Sequence, residues 1–361
     1  MPEDTGLYIH IPFCAKKCRY CDFYSACVSE RVYGQYLDAL LREIKKWGGK
    51  TDRPVSTVYI GGGTPSLLGE DILPLICAVK ENFCVLPHAE ITVECNPNAK
   101  ENFYVLARQA GVNRLSLGVQ TSDGGRLKAL GRTHTAADAA RAVRAARAAG
   151  FDNVSLDMMI ALPGSNCQTV LDDADFILSL HPEHISAYIL KIEPNTAFAR
   201  CKDELDLPDE DGVAEQYLTL CGRLEAAGYG HYEISNFAVA GKESRHNLKY
   251  WRCEEYLGIG PSAHSFISGR RFYYPRDIRA FIAGNEPVFD GAGGGREERI
   301  MLSLRTGDGA ALSELSAASQ KRTKRLAESG LAVLRNGRIA LTNEGMLVSN
   351  SIITELLYED L

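Results

Sequence analysis

The 361-residue sequence has no apolar run approaching the roughly 18 residues a helix needs to cross a bilayer. Its opening, Met-Pro-Glu-Asp-Thr-Gly, lacks the basic stretch followed by an apolar one that marks a secretory signal. A helical membrane protein and an exported one are both disfavoured, and the cytoplasm is the expected compartment. Positive charge is not in excess either. Forty Lys and Arg stand against 46 Asp and Glu, a net charge of −6, so the electrostatic footprint of a phosphate-backbone binder is missing. Apolar residues at 45% and charged residues at 24% are ordinary globular values. Cysteine pairing is largely absent: of eleven cysteines, those at 27, 77, 84, 95, 167, 201, 221 and 253 show no paired spacing. Free thiols in a reducing compartment are expected rather than disulfides, most of them as small buried hydrophobes.

The other three cysteines are closely spaced. Cys14, Cys18 and Cys21 fall in the run His-Ile-Pro-Phe-Cys-Ala-Lys-Lys-Cys-Arg-Tyr-Cys-Asp-Phe, residues 10–23. This C-x3-C-x2-C spacing differs from the two-apart pairs of zinc ribbons and from ferredoxin patterns, which supply a fourth cysteine. Three thiolates suit an open four-iron cluster whose fourth iron is left to a small molecule. Three free or zinc-bound cysteines are the plainer alternative.

Short β-rich apolar runs at residues 7–11, 55–60, 90–94, 114–119, 153–160 and 184–190 alternate with helical patterns at 32–47, 71–83, 136–149, 169–180 and 212–227. Strand and helix alternating in this way specify a parallel sheet with right-handed crossovers. Six units rather than eight predict an α/β fold with an incomplete (β/α)6 barrel, whose chemistry would sit at the C-terminal strand ends. The expected division is a partial barrel over 1–230, a loop-rich extension over 231–290 and a small C-terminal α+β domain over 296–361. The glycine run 291–295 reads as a linker or loop. Helices at 296–304, 312–315 and 320–329 precede a hairpin turning at Asn336-Gly337, an arrangement that resembles a winged-helix module. In so acidic a chain a structural or protein-contact role is favoured over DNA binding.

Polar residues gather at the predicted strand ends. Gly61-Gly62-Gly63-Thr64-Pro65-Ser66 follows the second strand, and without Cβ atoms its backbone amides could approach a ligand closely. A tight loop is the plainer alternative. Glu94, Gln120 and Asp157 end later strands, Arg132 lies in Leu-Gly-Arg-Thr-His-Thr, and Tyr8 sits two residues before His10. Carboxylates suit ribose hydroxyls and an amino group, whereas an amide or guanidinium suits a carboxylate.

Together, Tyr8-x-His10-x-Pro12-Phe13-Cys14, Tyr20-Cys21, the glycine run, Glu94, Gln120, Arg132 and Asp157 resemble the radical S-adenosylmethionine (SAM) superfamily and, within it, the oxygen-independent coproporphyrinogen oxidase group. The chain is more similar to the HemW branch, the haem chaperones. Phe23 stands where the oxidases have a further cysteine, only 13 residues precede Cys14, and residues 246–251 match the HNxxYW signature associated in that branch with haem. The resemblance implies a 4Fe-4S cluster on Cys14, Cys18 and Cys21. It implies SAM contacts from Tyr8, Gly62, Gly63, Thr64, Glu94, Gln120, Arg132 and Asp157. Haem is implied as cargo, with His246, Asn247, Tyr250 and Trp251 as candidate contacts, His246 offering an imidazole to iron or merely bonding backbone. His264 is the weaker candidate. The expected partners are haem and haem-accepting apoproteins such as respiratory enzymes, with membrane contact through those partners; a homodimer is allowed and nucleic acid is not expected. No catalytic residue is assigned. Oxidative decarboxylation of coproporphyrinogen III is the enzymatic alternative, and RNA modification is disfavoured by the acidic balance.

Overall fold

The structure is a computed structural model that describes residues 4–357. The first part alternates as β1 (Thr5–Ile11), α1 (Glu30–Gly48), β2 (Val55–Gly62), α2 (Ile72–Asn82), β3 (Val85–Cys95), α3 (Glu101–Ala110), β4 (Arg114–Gln120), α4 (Gly124–Leu130), α5 (Ala136–Ala148), β5 (Val154–Ile160), α6 (Cys167–Ser179), β6 (His184–Ile189) and α7 (Glu210–Ala226). Strands β1 to β6 pair in sequence order, all parallel. Local signals fix the helix starts: Thr135 with Asp138 and Asn166 with Thr169 form reciprocal caps on α5 and α6.

The period of two along each strand divides the sheet into unlike faces. Leu7, Ile9, Val58, Ile60, Ile91, Val93, Leu115, Leu117, Leu156, Met158 and Ile185 join one continuous core with helix residues such as Leu40, Leu75, Phe103, Val143, Ile177 and Leu220. The alternate positions are polar. Register pairs Tyr8 with Tyr59, Tyr59 with Thr92, Thr92 with Arg114, Glu94 with Ser116, Ser155 with His184 and Asp157 with Ser186. A polar inner face cannot close into the packed apolar interior of a complete barrel, and it leaves side chains there for ligands.

Residues 231–290, expected as a loop-rich extension, carry short strands and helices between their loops. That stretch holds β7 (Gly230–Glu233), β8 (Asn236–Ala238), α8 (Arg245–Trp251), β9 (Tyr256–Ile259), β10 (His264–Ile267), β11 (Arg270–Tyr273), α9 (Ile278–Ile282) and β12 (Val288–Ala292). These strands extend both edges of the parallel sheet, giving the order β12-β11-β10-β9-β1-β2-β3-β4-β5-β6-β8-β7. Each is three to five residues long, too short for periodicity to register, and exists because an edge is there to pair with. The glycine run is likewise anchored: Gly291 lies in β12, and the Gly293 and Gly294 amides donate to the Gly269 carbonyl at 2.9 Å and the Glu298 carboxylate at 2.7 Å.

The remaining segment carries α10 (Arg296–Ser303), β13 (Ala310–Ala311), α11 (Ala317–Glu328), β14 (Ala332–Arg335), β15 (Arg338–Leu341), α12 (Asn343–Leu347) and α13 (Ser349–Leu357). The hairpin turns at Asn336 and Gly337, both at positive φ, as its two-residue loop requires. A separate core of Ile300, Leu304, Leu326, Ile339, Met346, Ile352 and Leu356 holds the unit together. Among the described residues no helix is long and apolar enough to cross a membrane. Ile339 is fully buried in this second core. Ile339→Ala should therefore lower stability by about 2–5 kcal/mol in urea unfolding; a change below experimental error would show that this core contributes little.

Candidate functional site

The three cysteines lie on a loop clamped at its base. Cys14 N donates to the Ala26 carbonyl at 3.1 Å and Ala26 N to the Pro12 carbonyl at 2.8 Å. Farther out, Arg19 N reaches the Leu130 carbonyl at 3.0 Å. All eleven cysteines are free, and the three here are part-buried. Burial pushes the Cys21 thiol up to about 11.

Two of the sulfurs are joined through a single network. Thr64 Oγ1 donates to Cys14 Sγ at 3.5 Å and accepts from Asn96 Nδ2 at 3.3 Å. The Asn96 amide oxygen accepts from Arg132 at 2.8 Å, and the other guanidinium nitrogen of Arg132 lies 3.6 Å from Cys18 Sγ. Arg132 also donates to the Gly118 carbonyl at 2.5 Å. A cavity of about 620 Å³ opens beside this network, with Cys18, Thr64, Asn96 and Arg132 in its wall. Gln120 completes the strand end at φ 71°, a strained backbone for a residue with a side chain, and is 8% exposed.

The glycine run is not an open cradle of amides, as the sequence led one to expect. Gly62 N donates to Glu94 Oε2 at 3.0 Å, Gly63 N to the Ile11 carbonyl at 2.8 Å and Thr64 N to the Phe13 carbonyl at 2.7 Å. All three amides are engaged within the protein. Glycine is required at 62 for packing as well: φ is 114°, and a Cβ would meet the His10 ring at 2.5 Å.

Glu94 is held by Gly62 N and by the Tyr59 hydroxyl at 2.9 Å. Burial raises its carboxyl to about 7 despite these two donors. Asp157 accepts from Ser116 at 3.0 Å and is also raised by burial. Tyr8 donates to His10 Nδ1 at 2.9 Å, because His10 Nε2 faces the Tyr24 carbonyl at 2.8 Å and must carry the proton.

At the other end of the strands, His246 is fully buried. One ring nitrogen meets Thr57 Oγ1 at 2.8 Å and the other the Tyr250 hydroxyl at 2.8 Å. Its ring stacks on Tyr59 at 5.3 Å, and burial lowers its pKa to about 3.

A family model described as the Radical SAM superfamily matches residues 8–177. The chain is 37% identical to the protein of Mycobacterium tuberculosis named heme chaperone HemW, over 98% of this chain and 95% of that one. It is 36% identical to the HemW of Bacillus subtilis over 98% and 99% of the two chains. The Escherichia coli HemW is 40% identical over 77% and 76%. The chain belongs to the HemW family. Its fold matches that of the coproporphyrinogen III oxidase HemN of Escherichia coli with a TM-score of 0.84 at 23% identity, covering 99% of this chain and 91% of that one. That likeness concerns the fold alone.

Radical SAM membership implies an iron-sulfur cluster and SAM, and the donor set fits in kind: three free thiols on one clamped loop, with a guanidinium beside Cys18. Among the described residues no three His, Cys, Asp or Glu side chains are placed to hold a metal ion. Within the HemW signature, His246, a candidate haem contact from the sequence, is buried with both ring nitrogens hydrogen-bonded. Tyr250 is tied to His246, the Asn247 amide serves the Ser244 cap, and Trp251 alone lines a surface cleft. His264 is exposed and stacks on Tyr273 across β10 and β11.

Most of the unpaired cysteines are not buried hydrophobes. Only Cys95 and Cys221 are buried, while Cys27, Cys77 and Cys84 are exposed, because they fall on loops or outward helix positions. Asn96, Tyr59 and Arg114 were overlooked in the sequence, although alternation along β2, β3 and β4 puts Tyr59 and Arg114 on the inner face with Tyr8 and Glu94. Asn96→Ala should release Arg132 and Thr64, lower stability by about 1–3 kcal/mol, and reduce the iron retained per chain after reconstitution and desalting. Unchanged iron content would remove the network from any part in holding the cluster.

Proposed function

We propose that this chain is a cytoplasmic haem carrier that hands haem to acceptor apoproteins, respiratory enzymes among them, and that it holds a 4Fe-4S cluster and SAM at the barrel mouth. The observation that carries this reading is similarity over 98% of the chain to proteins named heme chaperones. Phe23, 70% exposed where the oxidases carry a cysteine, supports it.

Cys14, Cys18 and Cys21 would hold the cluster, which when bound supplies an electron to SAM. The chain's own residues would do the rest. Tyr8, Gly62, Gly63 and Thr64 would contact SAM at the glycine run, and Gln120 and Arg132, which both lie beside Gly118, would meet its carboxylate. Glu94 would face the amino group of SAM, and Asp157 its ribose hydroxyls. An ammonium favours an ionised partner, so SAM affinity should rise with pH through about 7, where Glu94 loses its proton. In Glu94→Gln that rise should disappear. Equilibrium dialysis of SAM across pH 6 to 8 reads both, and an unaltered pH profile in the variant would place the amino group elsewhere.

The enzymatic reading, oxidative decarboxylation of coproporphyrinogen III, is favoured by one observation: the Cys14-Thr64-Asn96-Arg132-Cys18 network stands at the strand ends together with the buried carboxyls of Glu94 and Asp157. An anaerobic assay of reconstituted protein with SAM and reductant, with a parallel haem titration, separates the two. The expected result is haem binding without decarboxylation, and substrate-dependent decarboxylation at enzymatic rates would overturn it. Cys18→Ser should lose iron and sulfide while keeping haem binding; intact cluster content would dismiss the cysteine triplet as the ligand set.

A further inference from the structure

Cys27 is a fourth thiol on the cysteine loop, at the base where the loop returns beside Cys14. One parallel bridge closes that base, Phe13 with Ala26, made by Ala26 N to the Pro12 carbonyl at 2.8 Å and Cys14 N to the Ala26 carbonyl at 3.1 Å. The residues one step beyond the bridge, on its two segments, are Cys14 and Cys27. Paired extended segments run about 4.8 Å apart, and a disulfide joins Cα atoms roughly 4.4–6.8 Å apart, so the backbone puts these two thiols within reach of each other. The Cys27 side chain also points across the gap: its thiol donates to the carbonyl of Ala15, the residue after Cys14, at 3.4 Å. Cys14 Sγ accepts from Thr64 Oγ1 at 3.5 Å, and sulfur is a weak acceptor, so a turn of that side chain costs little. The two thiols differ in access. Cys27 is exposed, whereas Cys14, Cys18 and Cys21 are part-buried, and an oxidant arriving from solution meets Cys27 first.

We propose that Cys27 is an oxidation site which pairs with Cys14, closing a disulfide across the base of the loop when the chain carries no cluster. The oxidant is hydrogen peroxide. Cys27 attacks one peroxide oxygen as the thiolate, the O–O bond breaks, and its proton ends on the departing hydroxide, leaving Cys27 as the sulfenic acid and releasing one water. The Cys14 thiol then displaces the sulfenic hydroxyl, forming the S–S bond and a second water. Two thiols have lost two electrons and two protons, and the peroxide has taken up both. Capture by Cys14 also stops Cys27 short of the irreversible sulfinic acid. The ring so closed contains Cys18 and Cys21 and consumes one of the three thiols assigned to the cluster. Its consequence rests on that cluster reading: the oxidised chain takes up no cluster until a thiol reductant reopens the bond. In a reducing compartment a disulfide of this kind is a transient, redox-sensing one.

The test treats cluster-free, full-length protein with stoichiometric hydrogen peroxide, alkylates the remaining thiols and maps the peptides by mass spectrometry. A Cys14–Cys27 cross-link that dithiothreitol removes is the expected product. Cys14→Ser should lose the cross-link and leave Cys27 as a sulfenic acid that dimedone traps. Cluster transfer from a loaded iron-sulfur scaffold protein, with no thiol added, should deliver iron to the reduced chain and fail on the oxidised one, and dithiothreitol should restore it. Cys27→Ser, a change of one exposed side chain outside the cluster triplet, should give no cross-link and accept iron after peroxide as it does before. Cross-links confined to Cys14, Cys18 and Cys21, or none at all, would overturn the pairing, and equal iron uptake by the oxidised and reduced wild-type chains would overturn the block. If the cross-link forms but the reduced chain accepts no iron, the cluster reading falls and the oxidation site stands.

Discussion

The guanidinium of Arg132 reaches Asn96 at the end of β3, the Gly118 carbonyl within β4 and Cys18 on the first loop, so three segments distant in sequence meet on one planar fork. Arginine suits this place because its donors diverge at fixed angles and its charge persists when buried. Asn96 passes the restraint on to Thr64, and Thr64 to Cys14. The cysteine loop is thereby referenced to the strand ends rather than left to its own conformation, which is the condition for bringing a loop-borne metal group to a fixed position over a sheet.

Beneath that mouth the inner face is polar throughout, and its electrostatics centre on Arg114, 1% exposed at the start of β4. Its charge lowers the carboxyls of both Glu94 and Asp157 against the effect of their burial. Its Nε and the Thr92 hydroxyl, register partners on β3 and β4, have no hydrogen-bond partner in the protein. Buried polar atoms in that condition ordinarily meet water or a ligand, which accords with a lumen built to be filled from outside. A packed barrel interior would have apolar layers at these same positions.

Strands β1 to β6 were legible because each is a run of six or more residues with a buried apolar face, and the helices between them carry the complementary stripe. The cysteine triplet and the residues at the strand ends were legible for a related reason: a parallel sheet puts every strand end at one mouth, whatever the connecting loops do. Strands β7 to β12 were not, since strands this short are stabilised by an existing edge and leave no periodic trace. Nor could the glycine run disclose that its amides are spent on Glu94, Ile11 and Phe13, as that depends on how β1 and β3 lie against it. His246 is the sharpest case. Its place in the signature says nothing of depth, and only the packing of α8 against Gly6 and Thr57 determines that the imidazole is enclosed.

That enclosure separates two ends of the molecule. Cys14, Thr64 and Arg132 stand at the C-terminal ends of the strands, whereas His246 touches Gly6 and Thr57 in the first halves of β1 and β2, and Trp251 turns outward from there to the cleft. Between them runs one short path: the His246 ring stacks on Tyr59, and the Tyr59 hydroxyl donates to Glu94. Burial lowers the His246 pKa to about 3, so the imidazole is neutral at physiological pH.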